Sequence, residues 1–365
     1  MNIVYISHLS GSQYGGPNYS VPAQVRAQAT VDNVFWWNLS EPIMDHWINT
    51  GLFHNLKDFP DKEIAHLPKP FCKPDLVVFE DFYYIDDYKL GKECKRRKIP
   101  YIIVPRGALT REAQGTKKLK KMVANTLFFK PFTRNASAIE YLTESERENS
   151  GRKWNKKAII LPNGVNRIPF ISRGAGREYI QGIYIGRFMP AKGIDLLVEA
   201  VTKIQEVLRK NRIKIFLYGP KSYDLWEEIK DQIHQNKVDD IIAIDDAVVG
   251  KEKEAILSNA DFFIMTSRFE GMPMGLIEAL GFSLPCIATS GTNLRNEIEQ
   301  ANAGWGCNTD VDSIASALTL ISEKKDKLPE MRENAYRLAG EYEWNTLAIK
   351  AHNLYEEILK GRNIQ

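Results

Sequence analysis

Short apolar runs that alternate with helix-like stretches are the feature that most constrains the fold of this 365-residue chain. In the first half they include NIVYIS, PDLVVFED and PYIIVPRG, and in the second half QGIYIGR, KIFLYGP and ADFFIMTS. Runs of this length, bounded by Pro, Gly and polar residues and separated by helical patterns, are typical of parallel strands joined by helices. The sequence therefore predicts an α/β fold with two doubly wound parallel sheets.

The alternation is interrupted at NRIPFISRGAGR, residues 166–177, which has no apolar periodicity and reads as a linker. We predict a first domain over residues 1–172, a second over 173–345, and a C-terminal helix over 346–365 that packs back on the first domain. The chain is long enough for two domains of ordinary size. Because such sheets bind ligands beyond the carboxyl ends of their strands, a cleft between two such edges is the expected ligand site.

Charge is distributed unevenly along the chain. Residues 1–172 carry 25 Lys and Arg against 17 Asp and Glu, whereas residues 173–365 carry 24 against 29. A basic first half favours an anionic partner there. Within it, GTKKLKKMVANTLFFKPF, residues 115–132, mixes lysines with apolar residues. Two interpretations stay open: a helix lying on an anionic membrane surface, and a core helix with a solvated rim.

Two glutamates, Glu270 and Glu278, flank a turn of small residues in RFEGMPMGLIEALGFSLPCIAT. The turn follows the strand ADFFIMTS, Pro273 suits the first turn of a helix, and Gly281 suits its carboxyl cap. Backbone N–H groups at the start of that helix would form an anion or hydroxyl site. Carboxylates placed on either side can accept hydroxyls of an elongated ligand, one from a sugar and one from a ribose. The alternative is that Glu270 caps the helix and Glu278 lies on its surface.

Two cations lie in the strand-to-helix loop of IYIGRFMPAKGIDLL, at Arg187 and Lys192. Both suit a diphosphate, although two solvated loop charges would look the same. Acidic pairs such as Asp86-Asp87 form no Asp-x-Asp metal clamp after an apolar strand. We therefore predict no metal site and expect the two cations to stabilise developing negative charge.

The motifs GRFMPAKG, FLYGPK and SRFEGMPMGLIEALGFSLPCIAT, in this order, resemble the C-terminal domain of retaining nucleotide-sugar glycosyltransferases of family 4, also called group 1. The Gly15-Gly16-Pro17 loop, YLTESE and LPNGV look like the same family, which includes bacterial surface-polysaccharide enzymes. The resemblance implies the GT-B fold, with two Rossmann-like domains facing a central cleft. Residues 1–172 would bind the acceptor and residues 173–345 the nucleotide-sugar donor.

The resemblance also implies roles for single residues. Arg187 and Lys192 would hold the donor diphosphate and stabilise the leaving group. Glu270 would bind hydroxyls of the transferred sugar, and these three residues are the expected catalytic set. Glu278 would bind the ribose hydroxyls. Arg106 would contact phosphate, sugar or acceptor, and these alternatives stay open. The other expected donor-binding positions are Gly15, Gly16, Gly219, Val248, Gly271, Met272, Pro273, Met274, Gly275 and Leu276.

The expected backbone contacts have different purposes. The N–H groups of Met272–Leu276 would touch sugar and phosphate, and the backbone near Val248 would read the nucleobase. Gly15 and Gly16 would let the backbone approach the donor phosphate, which suits the wide dihedral range of glycine.

The sequence thus predicts a retaining, metal-independent glycosyltransferase without a cofactor. It would move a hexose-type sugar from a nucleotide diphosphate sugar to a saccharide acceptor, lipid-linked, in cell-surface polysaccharide synthesis. We expect a cytoplasmic protein at the inner face of the cell membrane and no nucleic-acid partner, since no such module accompanies the charge. Two alternatives stay open: a nucleotide-sugar epimerase of the same architecture, which needs no second substrate, and a non-catalytic saccharide- or nucleotide-binding module.

Overall fold

The computed structural model describes residues 1–12, 15–155, 157–170, 178–221 and 225–361, without the side chain of Glu112. It divides into two units, one of Met1–Gly164 with Trp344–Gln365 and one of Val165–Glu343. The expected boundary between residues 172 and 173 lies outside the described residues, and the division by contacts falls at Gly164. The acceptor and donor roles of the two domains stay predictions.

A seven-stranded parallel sheet forms the first unit, in the order β3-β2-β1-β4-β5-β6-β7. Val4, Trp37, Phe79 and Ile103 from its strands lie in one buried cluster. Near-continuous apolar runs are expected where helices cover both faces of a sheet. The strands are β1 (Asn2–Ser7), β2 (Asn33–Asn38), β3 (Phe53–Asn55), β4 (Leu76–Glu80), β5 (Tyr101–Val104), β6 (Ala138–Tyr141) and β7 (Ala158–Ile160).

The first helix begins at Pro17, within the segment that the sequence analysis treated as the Gly15-Gly16-Pro17 loop. Pro22 lies inside this helix and leaves the carbonyl of Asn18 without its helical donor. That carbonyl instead accepts hydrogen bonds from Trp47 Nε1 at 2.8 Å and His46 Nε2 at 2.9 Å. The helices of this part are α1 (Pro17–Gln28), α2 (Asp45–Ile48), α3 (Ile85–Arg97), α4 (Arg111–Gly115), α5 (Lys118–Ala124), α6 (Lys130–Asn135) and α7 (Glu144–Ser150).

The basic segment is helical but interrupted, because Lys117 adopts a left-handed conformation with φ of 49° before α5 and a π-helical turn, Asn125–Phe129, follows it. Phe129 and Phe132 are buried in the core. Both interpretations stay open, because the segment has core residues and also four exposed apolar side chains. Their exposed fractions are 77% for Leu119, 57% for Met122, 57% for Val123 and 56% for Leu127.

A six-stranded parallel sheet forms the second unit, in the order β10-β9-β8-β11-β12-β13. Its strands are β8 (Ile180–Ile185), β9 (Ile213–Tyr218), β10 (Ile242–Asp245), β11 (Phe262–Met265), β12 (Cys286–Thr289) and β13 (Gly304–Cys307). Its helices are α8 (Ile194–Lys203), α9 (Gln205–Lys210), α10 (Leu225–Gln235), α11 (Gly250–Asn259), α12 (Met274–Gly281), α13 (Arg295–Gln300), α14 (Val311–Glu323) and α15 (Leu328–Ala339). This strand order is that of a dinucleotide-binding Rossmann sheet, as predicted.

The last helix, α16 (Trp344–Leu359), belongs to the first unit, where it packs on α1. A Cβ on Gly164 would lie only 2.4 Å from the ring of Trp344 in this helix, so position 164 requires glycine. His352 Nδ1 bonds Asp32 at 2.9 Å, and Tyr355 donates to buried Glu140 at 2.8 Å. The helix is therefore tied to the first sheet by polar contacts as well as apolar ones.

Candidate functional site

The predicted catalytic residues follow two neighbouring strands in the middle of the second sheet. Arg187 and Lys192 come after β8, and Glu270 comes after β11. β8 and β11 are adjacent, and the strand order reverses direction between them. Open α/β sheets bind ligands beyond the carboxyl ends of their strands at such a switch point. The fold thus brings the two sequence motifs to one edge of one sheet.

Hydrogen bonds hold the two loops to each other. The Arg268 N–H donates to the Ala191 carbonyl at 2.7 Å, and Thr266 Oγ1 donates to the Gly193 carbonyl at 2.9 Å. Gly193 has a φ of 63°, and a Cβ there would lie 2.2 Å from the Thr266 carbonyl oxygen. Glycine is therefore required for conformation and for space.

Three side chains hold Glu270: two bond its carboxylate and one bonds its backbone carbonyl. Its Oε1 accepts from Lys192 Nζ in an ion pair and from Ser267 Oγ at 2.8 Å. Asn293 Nδ2 donates to the Glu270 carbonyl at 2.5 Å and to the Gly271 carbonyl at 3.2 Å. The side chains of Lys192 and Glu270 are only 16% and 14% exposed. Because charge-assisted bonds are strong where water is partly excluded, Glu270 has a fixed position.

The start of α12 provides fewer backbone donors than the sequence predicted. α12 begins after Pro273 and has no side-chain cap, so the interpretation of Glu270 as its cap is wrong. Pro273 has no N–H, and the Leu276 N–H donates to the Pro273 carbonyl at 3.1 Å. Within the described part of the chain, the N–H groups of Met274 and Gly275 have no acceptor. Of the expected donors, Pro273 and Leu276 are therefore excluded.

The carboxyl cap of α12 is Phe282, one residue beyond the predicted Gly281. Gly281 is the last helical residue, and Ser283, not Gly281, adopts the left-handed conformation, with φ of 60°. A Cβ on Gly281 would lie 2.7 Å from a methyl of Val165. Glycine is therefore needed at position 281 for close packing and not for a left-handed conformation at the end of the helix.

Glu278 lies one turn into α12, as predicted, and is 30% exposed. Its Oε2 forms an ion pair with Lys253, a residue of α11 that the sequence analysis did not single out. A lysine on a helical surface carries no distinctive sequence signal, and the pairing is visible only once α11 and α12 lie side by side.

Arg187 is half-buried, and among the described residues its guanidinium has no hydrogen-bond or ion-pair partner. Its carbonyl accepts from the Tyr184 hydroxyl at 3.0 Å. Burial, followed by the negative charge of Glu270, raises the pKa of Tyr184, so this phenol stays protonated. Among the described residues the positive charge of Arg187 is therefore unpaired, and it lies in the same loop after β8 as Lys192.

Gly219 and Val248 follow β9 and β10 at the same edge of the sheet. A Cβ on Gly219 would lie 2.1 Å from the ring of Phe188 and 2.4 Å from the Gly186 carbonyl, so packing accounts for the glycine. Val248 is 8% exposed, whereas Val249 is 54% exposed. Backbone contact with a nucleobase at Val248 stays a prediction.

Gly15 and Gly16 lie between β1 and α1 in the first unit. Gly16 is the N-cap of α1 with a helical φ of −49°, and neither glycine has a positive φ. The close approach of this loop to a donor phosphate stays a prediction. A Cβ on Gly15 would lie 2.7 Å from Asn18 Nδ2, so close packing is the physical reason for glycine there.

Arg106 has no free donor for a ligand in this structure. Its guanidinium donates to Glu80 Oε2 at 2.7 and 3.0 Å and to Gln24 Oε1 at 3.2 Å. It also donates to Ser20 Oγ and Asn163 Oδ1, both at 3.3 Å. The side chain is 8% exposed, and its five N–H groups are all used. Arg106 thus joins α1, β4 and the segment after β7, and its ligand contact stays a prediction.

A polar cluster that the sequence analysis missed lies at the carboxyl edge of the first sheet. His8, next after β1, bonds Asp87 at 2.8 Å and stacks on Tyr84 at 3.7 Å between ring centroids. Nearby Asp81 has a strained φ of 134°, and burial raises its pKa to about 6. The only sequence signal was a histidine directly after a strand, because the pairing with Asp87 depends on tertiary structure.

Comparisons with known proteins agree with this arrangement. Residues 172–338 match the family model described as "Glycosyl transferases group 1". A glycosyltransferase of Methanocaldococcus jannaschii is 24% identical over 66% of this chain and 65% of its own length. The GDP-mannose:cellobiosyl-diphosphopolyprenol alpha-mannosyltransferase of Komagataeibacter xylinus is 23% identical over 56% and 52%. The chain thus spans between half and two thirds of the length of these relatives.

Solved structures resemble the chain over almost its whole length. Sucrose-phosphate synthase from Thermosynechococcus elongatus has a TM-score of 0.75 and 15% identity, covering 99% of this chain and 100% of its own. Anabaena HepE in complex with UDP has a TM-score of 0.75 and 13% identity, covering 98% and 100%. At such identity the likeness concerns the fold alone.

The fold and the sheet-edge site define a chain of the GT-B class, built from two Rossmann-like units. Within that fold class, residues 172–338 match the glycosyltransferase group 1 model, which agrees with the resemblance drawn from the sequence.

Proposed function

We propose that this chain is a glycosyltransferase that moves a hexose-type sugar from a nucleotide diphosphate sugar to a saccharide acceptor. The Lys192–Glu270 pair, in loops that follow the two strands at the switch point of the second sheet, is the observation that carries the proposal, and Arg187 lies in the first of these loops. The HepE complex with UDP, a structure of the same fold, agrees with a nucleoside diphosphate ligand.

The donor diphosphate would lie against Arg187 and Lys192, which stabilise charge as the leaving group departs. Glu270 would accept hydroxyls of the sugar, and Glu278 those of the ribose. Two cations can stabilise a leaving diphosphate without a metal ion, so we propose metal-independent transfer. Glu270 is bonded to Lys192 and Ser267, so we assign it to sugar binding and not to a covalent step. We propose that the departing phosphate accepts the acceptor proton and that the sugar keeps its anomeric configuration.

The acceptor would be lipid-linked, in cell-surface polysaccharide synthesis at the inner face of the cell membrane. The relative from Komagataeibacter xylinus is named for a diphosphopolyprenol acceptor. Four exposed apolar side chains among the lysines of α5 and the turn after it support contact between the first unit and an anionic bilayer. Among the described residues, no helix is long and apolar enough to cross a membrane.

The test is a panel of UDP-, GDP- and ADP-hexoses, with release of nucleoside diphosphate as the readout. We expect one donor to release its nucleotide faster than in a protein-free control, with and without EDTA. Proton NMR of the released or transferred sugar should show the donor's anomeric configuration. Conversion of a donor to its epimer without nucleotide release would favour the epimerase instead. Binding without any turnover would favour a binding module, and loss of activity in EDTA that manganese restores would contradict the metal-free step.

A further inference from the structure

The ion pair between Lys253 and Glu278 joins the two helices that border the expected nucleoside position. Lys253 is in the first turn of α11, which follows the loop at Val248 and Val249. Glu278 is in α12, which follows the loop at Glu270. The lysine is 26% exposed and the glutamate 30% exposed, so the pair is accessible from solvent but not fully hydrated.

The ion pair engages only one carboxylate oxygen of Glu278. Lys253 Nζ contacts Oε2, and within the described residues neither Oε1 of Glu278 nor the lysine has a further hydrogen-bond partner. A carboxylate that accepts two vicinal hydroxyls must keep one orientation of its plane. A lysine bound to one oxygen restricts that orientation and leaves the lone pairs of the other oxygen for a ligand.

We propose that Lys253 is a positioning residue that orients Glu278 toward the ribose hydroxyls of a bound nucleoside diphosphate. The inference rests on the proposed function, because Glu278 meets a ribose only if the donor is a nucleotide sugar. It adds a residue of α11 to the donor site and predicts that ribose recognition depends on both helices.

An ion pair that served only the protein surface would not affect ribose recognition. Exposed pairs contribute little to stability, so replacing the lysine should leave the protein folded. A structural role and a positioning role therefore differ in one measurable quantity, which is the preference for a ribonucleotide over its 2′-deoxy analogue.

The experiment is isothermal titration of the full chain with UDP and 2′-deoxy-UDP, and with the matching guanosine pair. Lys253→Met should bind the better nucleoside diphosphate about tenfold more weakly and lose most of the preference for ribose. Lys253→Arg should restore both. Lys251→Met, an exposed lysine on the same helix, is the matched control and should behave as the wild type.

The outcomes separate the two proposals. If the wild type binds UDP or GDP but Lys253→Met keeps the full ribose preference, or binds more tightly, the positioning role is overturned while the proposed function stands. If the wild type binds neither nucleotide and releases no nucleotide from an ADP-hexose either, the proposed function fails and this inference fails with it. Thermal unfolding of Lys253→Met within a few degrees of the wild type excludes misfolding as the cause.

Discussion

Lys192 and Glu270 form the contact on which the proposed chemistry most depends. Lys192→Ala should lower the turnover of the best donor about 100-fold, because a preorganised charge beside the leaving group is lost. The measurement is release of nucleoside diphosphate at saturating donor. Lys203→Ala removes an exposed lysine from another ion pair of the same unit, with Asp312, and should keep wild-type turnover. Equal turnover in both variants would refute the role of Lys192.

The structural need for glycine at position 193 can be tested with a single substitution. Gly193→Ala should destabilise the protein by about 2 kcal/mol or more, since a strained φ and a Cβ 2.2 Å from the Thr266 carbonyl act together. Gly250 is the matched position, with φ of 55° and open space around its Cα. Gly250→Ala should cost only about 1 kcal/mol. Urea unfolding measures both, and equal losses would show that crowding contributes nothing.

At the scale of single elements, α16 and β6 share a buried carboxyl that makes stability depend on pH. Burial, followed by the charge of Glu80, raises the pKa of Glu140 to about 8. A carboxyl with a raised folded pKa contributes stability that is complete below its unfolded pKa, about 4.5, and is lost as pH rises toward 8. Tyr355 donates to one carboxyl oxygen, and the other has no partner among the described residues.

Glu140→Gln removes this titration. Relative to the wild type, the variant should gain about 1 kcal/mol or more in free energy of unfolding between pH 5 and pH 9. Urea unfolding at several pH values measures the difference. Glu357→Gln, exposed on the same α16, is the control and should follow the wild type at every pH. A constant difference between Glu140→Gln and the wild type would mean that Glu140 stays ionised in the folded protein.

Helices and strands could be predicted from the sequence where the local residue pattern determines the secondary structure. Apolar runs such as PDLVVFED became parallel strands, since both faces of such a strand are covered and no polar alternation is needed. The start of α1 was not predictable, because Pro22 is tolerated only through donors from Trp47 and His46. The break at Lys117 was equally hidden, since any residue type can adopt that conformation when tertiary contacts favour it.

For the site, sequence spacing found the residues but not their partners. Arg187, Lys192 and Glu270 could be placed at one sheet edge because they lie in the loops after two apolar runs, and their roles stay predictions. The pairings of Glu278 with Lys253 and of His8 with Asp87 join elements distant in sequence. The five internal hydrogen bonds of Arg106 were hidden for the same reason.

At the scale of the whole molecule, the surface around α5 should place the protein on an anionic membrane. We expect the full chain to sediment with phosphatidylglycerol–phosphatidylcholine vesicles and to dissociate as salt increases. Leu119→Glu/Met122→Glu should lose most of this binding, because the insertion of apolar side chains is replaced by repulsion. Ile349→Glu changes a comparably exposed side chain, 55% exposed on α16, and should bind as the wild type. Equal binding of all three proteins would refute the membrane surface.

The central claim is that the second unit binds a nucleotide diphosphate sugar through Glu278 and Lys192. The most direct measurement is the thermal unfolding midpoint of the wild type and of Glu278→Ala over a concentration series of UDP- and GDP-hexoses. A ligand that binds only the folded state stabilises it by about 2.7 kcal/mol at 100 times its Kd. The account predicts that the wild-type midpoint rises with at least one donor and that the variant needs far more of it. No rise with any nucleotide sugar, or equal rises in both proteins, would contradict it.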